Sequence, residues 1–284
     1  MSRVVSIGKD FKRAVNEKTN GKVILISRRA LLVDLNGKIF EILSSRMPRS
    51  TISAIVSKND LNELDLAVGD PVECRKTIML NGVELELDDA EVWTWDLKKA
   101  DLKENLHKIN VLNISTKIKN TLKERLSAEL NYVVDPLLQT TIEKIEYAFN
   151  LCERYLEKNK IRSVDALLDL VGLGPGLTPA GDDTLAGFLT GSYYFASNGS
   201  QLFDVANLLK DKIHNKKTTV YSKRLLSLAA NGISNEYVRG LILGIFDQNY
   251  STASLYAKKI LGLGATSGYF YLLGFIRGLE MAML

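Results

Sequence analysis

Between residues 22 and 95 the apolar positions come in short runs broken by turn signals; after Trp95 they recur every three or four residues. KVILIS, ALLVDLNG, KIFEIL, STISAIVS, DPVECRK, TIMLNG, VELELDD and EVWTW are rich in Val, Ile, Leu and Thr, the residues that suit a pleated, half-buried surface. VELELDD alternates apolar and acidic residues, as a strand with one wet face does. Asn36-Gly37 and Asn81-Gly82 are hairpin dipeptides, because a type I′ turn needs φ > 0 at both central residues. Many short strands at this spacing predict a small antiparallel β-barrel or sandwich.

The later period predicts helices. ISTKIKNTLKERLSAEL and DPLLQTTIEKIEYAFNLCERYLEKNK place Lys and Glu between apolar residues at helical spacing. Asp135-Pro136 has the form of an N-cap and first helical residue, and Ser163, Asn231-Gly232 and Ser234 mark further helix ends. The expected class is therefore α+β, with a β-rich domain over residues 1–100 and an all-helical domain over 101–284. The join falls in the charged stretch 96–108, which is either a linker or a first helix.

One string in the helical half does not fit an ordinary core. GLGPGLTPAGDDTLAGFLTG, residues 172–191, holds six glycines, two prolines and two adjacent aspartates. It has an echo in GLGATSGYFYLLGFIRG, residues 262–278. From Gly181 and Gly268 onward both read GxxxLxGFxxG without a gap, and the first copy carries three extra residues in the loop before. Gly187/Gly191 and Gly274/Gly278 are spaced i, i+4, so each pair bares one stripe of a helix. A helical glycine costs roughly 0.5–1 kcal/mol relative to Ala, which close backbone packing would offset. The two helices are expected to cross through these stripes and bring both loops to one end.

The loops are the candidate chemistry. Gly172, Gly174 and Gly176 can adopt φ > 0 and, with Pro175, would let a ligand approach the backbone, with Thr178 and Pro179 as N-cap and first residue of a helix and Gly181 in its first turn. Free N–H groups there suit acid oxygens. Asp182 and Asp183, in that same turn, are the catalytic candidates: a carboxylate could orient an amide or hold a hydrated cation such as Mg²⁺. Their plainer reading is capping. Thr266 and Ser267 start the second copy's helix, and Thr218, Thr219 and Ser222 lie near a helix start between the copies. These are candidate ligand contacts, with capping again the alternative.

Composition narrows the classes. A net charge of +4, from 37 basic and 33 acidic residues scattered along the chain, argues against a dedicated nucleic-acid binder. Cys74 and Cys152 are far apart, and His107 and His214 are the only histidines, so neither a disulfide framework nor a histidine metal cluster is expected. No Ser–His–Asp or Cys–His set assembles from the sequence. MSRVVSIGKDFKRAV lacks the apolar core of a signal peptide, and the apolar tract 260–276 reads as a buried helix with its entry loop rather than a membrane span. A cytoplasmic protein is expected.

LVGLGPGLTPAGDDTLAGFLTG is similar to the signature of the AllH-type subunit family of oxamate carbamoyltransferase, formerly a domain of unknown function. TTVYSKRLLSLAANG and GLGATSGYFYLLGFIRG resemble the family's later blocks in order and spacing, so the resemblance covers most of the second half. It implies a cytoplasmic subunit, working with other subunits, that converts oxalurate and phosphate to oxamate and carbamoyl phosphate in allantoin and purine-nitrogen use. Residues 174–176 and the helix start would then hold acid oxygens, and Asp182 or Asp183 an amide. The family's last block often carries a His before its Ser/Thr-Ser-Gly and an acid after it; Ala265 and Tyr269-Phe270 stand there in this chain. A non-catalytic small-molecule-binding or scaffolding subunit is the alternative, and a metal-dependent hydrolase using both aspartates a third.

Overall fold

The computed structural model describes residues 2–102, 111–130 and 136–283. Asp135, His107 and the second half of the charged join, 103–108, lie outside them. The chain divides into two compact units, Met1–Asp96 and Leu97–Leu284.

The first unit is a β-barrel. In chain order it runs β1 (Ser2–Gly8), α1 (Lys9–Asn16), β2 (Asn20–Ile26), β3 (Ala30–Leu35), β4 (Lys38–Leu43) and β5 (Ser53–Val56). After a 3₁₀ turn at Leu61–Leu64 come β6 (Pro71–Cys74), β7 (Ile78–Leu80), β8 (Val83–Glu86) and β9 (Glu91–Trp93). The strands follow the order β5-β4-β3-β2-β6-β7-β8-β1, and β1 pairs back onto β5 to close the ring, with β9 also on β1. Among the described residues closure gives every strand of the ring a neighbour on both sides, leaving the short β9 as an edge. The expected α+β class with a small barrel is borne out, with one refinement: β4–β5, β1–β8 and β1–β9 are parallel.

Both hairpin dipeptides sit where they were expected. Leu35 pairs with Lys38 across Asn36-Gly37, and Leu80 with Val83 across Asn81-Gly82. All four turn residues have positive φ, at 51°, 80°, 44° and 87° in chain order. The strand that the pattern missed is β1. It lacks hairpin turn signals, and its partners are more than forty residues away (Val4 pairs with Val56 and Ser2 with Leu85), so nothing local reports it. Inside the barrel Phe11 of α1 stacks on Phe40 of β4 with ring centroids 4.7 Å apart.

The second unit is helical: α2 (Lys99–Leu102), α3 (Val111–Leu130), α4 (Pro136–Tyr155), α5 (Lys160–Leu168), α6 (Ala180–Phe195), α7 (Gln201–Ile213), α8 (Val220–Ala229), α9 (Glu236–Phe246), α10 (Tyr250–Leu261) and α11 (Ser267–Met281). Ser163 is not a helix end. It lies buried within α5, where its hydroxyl donates to the Cys152 carbonyl at 2.9 Å, and Asn159 is the true cap. Ser234 is one residue early, since Asn235 caps α9.

The sequence echo is a structural repeat larger than the strings that revealed it. It pairs α5–loop–α6 with α10–loop–α11. Asn159 and Asn249 hold the same place at the start of each copy, their side chains accepting from Arg162 N and Thr252 N. In each loop the Leu of Gly-Leu-Gly accepts from the helical glycine beyond it: Gly181 N to Leu173 O at 2.9 Å, and Gly268 N to Leu263 O at 3.0 Å. A Cβ on Gly181 would stand 1.9 Å from the Leu170 carbonyl, and one on Gly268 1.9 Å from that of Ile260. These correspondences require the three-residue gap read from the sequence. The predicted helix crossing is also present, because Cβ atoms on Gly187 and Gly191 would strike the backbone of α11, and those on Gly274 and Gly278 the backbone of α6.

Candidate functional site

The α6–α11 crossing brings the two loops together. Thr178 Oγ1 in the first and Ser267 Oγ at the start of α11 lie 3.0 Å apart. Gly172, Gly174 and Gly176 all have positive φ, at 75°, 103° and 97°, so this loop path is one that L side chains resist. Pro175 and Gly176 form an exposed apex, and a Cβ on Gly176 would meet nothing within 4 Å. Gly181 offers no approach to a ligand, since the Leu170 carbonyl fills its bare side.

The helix start differs from the expected Thr178 cap with Pro179 as first residue. Pro179 is extended (φ −52°, ψ 143°) and occupies the N-cap position, with α6 beginning at Ala180. Its carbonyl accepts from the N–H groups of Asp182 and Asp183, while the Gly181 N–H goes to Leu173. The amides of Gly181, Asp182 and Asp183, in the turn expected to bind acid oxygens, are therefore spent inside the protein. The same holds at α11, where Gly268 N bonds Leu263 O and Phe270 N bonds Thr266 O. Thr266 takes the N-cap position there, and its side chain caps nothing.

The two aspartates have different duties. Asp182 is a latch: its Oδ1 accepts from Gly172 N at 2.9 Å and its Oδ2 from the Thr218 hydroxyl. It thus ties the start of its own loop and the approach to α8 to the first turn of α6. Thr219 and Ser222 complete the fastening. The Thr219 hydroxyl accepts from Ser222 N as the α8 cap and donates to the Leu177 carbonyl at 2.6 Å, which the Ser222 hydroxyl also reaches at 3.4 Å. The three hydroxyls read as candidate ligand contacts are anchors of the first loop.

Asp183 is a buried carboxyl with capacity to spare. It is 7% exposed, and among the described residues its Oδ2 has no hydrogen-bond partner. Burial pushes its pKa up to about 8; the hydroxyls of Ser267 and Thr178 pull against that rise, and the charge of Asp182 adds to it. At neutral pH this group is largely a carboxylic acid, able to donate one hydrogen bond and accept another.

Behind it lies a chain of hydroxyls that sequence reasoning missed. Tyr271 OH is 2.9 Å from Thr190 Oγ1 and 3.2 Å from Ser234 Oγ. Thr190 spends its own proton on the Ala186 carbonyl, so it accepts from Tyr271 and Ser234 donates to Tyr271. Burial raises the Tyr271 phenol to about 12, and the Asp183 charge adds to the rise. A signal was available: Tyr271 follows Ser267 by one helical turn, and Thr190 follows Asp183 by two, so each pair shares a helix face.

The donor set does not suit magnesium. Both oxygens of Asp182 are engaged, leaving one deep carboxyl where a hard cation needs several oxygen ligands. Among the described residues no group of three or more His, Cys, Asp and Glu side chains is placed to hold a metal. The cysteines are poor nucleophiles, since burial raises the Cys74 thiol to about 11 and that of Cys152 to about 12. His214 is exposed beyond the end of α7.

Fold and site together define an α+β chain whose helical unit joins two copies of a helix–loop–helix around two buried carboxyls, Asp182 and Asp183. Residues 170–279 match the family described as oxamate carbamoyltransferase subunit AllH. The matched stretch takes in both loops, the start of α8 and both aspartates, so the resemblance carried by the motif is borne out there. The description makes the matched proteins subunits, which work with partner chains. No solved structure matches the chain. Among the described residues no helix is long and apolar enough to cross a membrane.

Proposed function

We propose that this chain is a cytoplasmic subunit of a carbamoyltransferase acting on small amide acids, with oxalurate and phosphate giving oxamate and carbamoyl phosphate in allantoin and purine-nitrogen catabolism. The observation that carries the reading is the unpaired oxygen of Asp183 beneath the Thr178 and Ser267 hydroxyls. A ligand that parts those hydroxyls meets a carboxyl that can accept from an amide N–H and donate to an amide carbonyl. Breaking the C–N bond of oxalurate while a phosphate oxygen adds to the carbonyl carbon leaves oxamate nitrogen in need of a proton. A neutral Asp183 is suited to supply it. Asp182 serves as a positioning residue, and the exposed loop apex at Pro175 and Gly176 is where acid oxygens would approach. The test is calorimetric titration of the chain with oxamate. Saturable binding that falls at least about tenfold in Asp183→Asn is expected, the size of one lost charge-tuned hydrogen bond. Equal binding by the two proteins would overturn the assignment.

A second reading, a non-catalytic small-molecule-binding or scaffolding subunit, is favoured by the site's content: its described residues offer hydroxyls and carboxyls but no imidazole or thiol. Partner chains would then supply the phosphate-handling groups.

A further inference from the structure

A cavity of about 350 Å³ lies in the helical unit, and none of its lining residues belongs to the two loops. Its volume falls at the lower end of small-ligand sites. Two aromatic rings share one part of its wall, since the Lys99 ammonium lies 5.8 Å from the ring centroids of both Tyr193 and Phe203. Tyr193 is fixed in place: its ring covers the bare side of Gly232, where a Cβ would come within 2.3 Å of it, and it meets Tyr194 edge-on at 5.0 Å. A ring held before a ligand arrives needs little ordering on binding. Asn207 follows Phe203 by one turn of α7, so its carboxamide and that ring share a helix face. That carboxamide makes no hydrogen bond within the described residues, and it carries a donor and an acceptor side by side. Ser192, 1% exposed, also lines the cavity, and its hydroxyl has no partner among the described residues. An orphaned buried hydroxyl is costly, and rotation about χ1 can turn it toward a ligand. Both lysines of the wall are engaged, Lys99 with the Ala196 carbonyl at 2.7 Å and Lys210 with the Asn231 side chain at 2.8 Å. The groups left to choose a ligand are therefore the rings, the carboxamide and the hydroxyl.

We infer that this cavity is a second ligand site, for a small flat cyclic amide whose ring lies against Tyr193 and Phe203 and whose N–H and C=O pair with Asn207. The pairing is reciprocal: the ligand N–H donates to the Asn207 carbonyl oxygen, and the Asn207 NH₂ donates to the ligand carbonyl. A second ligand carbonyl is the partner for the Ser192 hydroxyl. The aromatic wall selects the flat body, and the carboxamide selects the unblocked amide edge. The inference is independent of the reaction proposed for the loops.

Calorimetric titration of the full chain with uracil and phthalimide, each beside its N-methylated form, tests it. The N-methylated forms keep the flat ring and the carbonyls but lose the N–H donors. The tighter of the two amides should bind about tenfold or more above its methylated form, the size of one lost hydrogen bond. Asn207→Leu, at an exposed position, should erase most of that preference. Ala206→Trp, which fills the cavity, should abolish binding while circular dichroism stays native, and Asp183→Asn should change nothing. Equal affinity for the methylated forms, an unchanged preference in Asn207→Leu, or no binding of either amide at millimolar concentration would each overturn it. So would undiminished binding by folded Ala206→Trp, and binding lost in Asp183→Asn would place the ligand at the loops instead.

Discussion

Gly187 of α6 and Gly274 of α11 fill equivalent places in a reciprocal contact. A Cβ on Gly187 would stand 1.9 Å from the Tyr271 carbonyl, and one on Gly274 1.8 Å from the Thr184 carbonyl, the corresponding atom of the other helix. No rotamer change relieves such a clash, because the opposing atoms are backbone. Gly187→Ala or Gly274→Ala is expected to destabilise by about 3 kcal/mol or more despite the better helix propensity of Ala. Gly262→Ala is the control: its φ of −75° is ordinary and the nearest atom is 3.4 Å away, so a change within about 1 kcal/mol is expected. Urea denaturation of the three variants checks both statements.

The latch made by Asp182 should report on loop order. Thr218→Val removes the hydroxyl that meets Asp182 and leaves a buried carboxylate oxygen short of a donor. A loss of about 1–3 kcal/mol is expected, together with faster amide exchange at Gly172. Unchanged exchange there would show that the loop is held by its glycines alone.

Asp183 gives a pH dependence of defined sign. Its pKa is about 8 in the fold, against roughly 4 in the unfolded chain. Between those values the native state binds the extra proton, so this group's contribution to stability is full below about pH 4. It falls as pH rises, and levels off above about pH 8. Asp183→Asn keeps the shape without the titration. The stability of the native protein should therefore drop relative to the variant by up to about 1.4 kcal/mol per pH unit across this window. Thermal melts of both proteins at pH 5, 6.5 and 8 measure it, and a gap that stays constant would contradict the assigned protonation.

Both thiols should be silent. Cys74 and Cys152 are fully buried, and burial raises their pKa values to about 11 and about 12. Neither should react with a thiol reagent at pH 8 in the native protein, and both should react in denaturant. Rapid native labelling at either would place it in an opening segment.

How much of this was legible follows from what each feature depends on. The Asn36-Gly37 and Asn81-Gly82 turns and the positive φ at Gly172, Gly174 and Gly176 were readable, because backbone freedom is a local property of the residue. The helix crossing was readable from glycine spacing, since two bare stripes of equal period have few other uses. Strand β1 was not readable, because its pairing lies in distant segments. Ser163 was misplaced for a related reason: a serine near a helix start suits a cap, and only the packing of α5 on α4 shows its hydroxyl bound to Cys152.

The same division runs through the site. By itself the sequence determined that a glycine-rich loop leads into a helix with two adjacent acids, and that the motif is repeated near the C-terminus. It could not decide which acid was a latch and which a carboxyl with an oxygen to spare. Asp182 meets Gly172 and Thr218, while Asp183 turns toward Thr178, Ser267 and Tyr271 from the other copy and its loop. Adjacent residues on a helix point about 100° apart, so neighbours in sequence enter different surroundings. Both acids are buried; those surroundings, assembled from segments as much as 89 residues distant, decide which of their oxygens find donors, and Asp183 is the one left with an oxygen unpaired among the described residues.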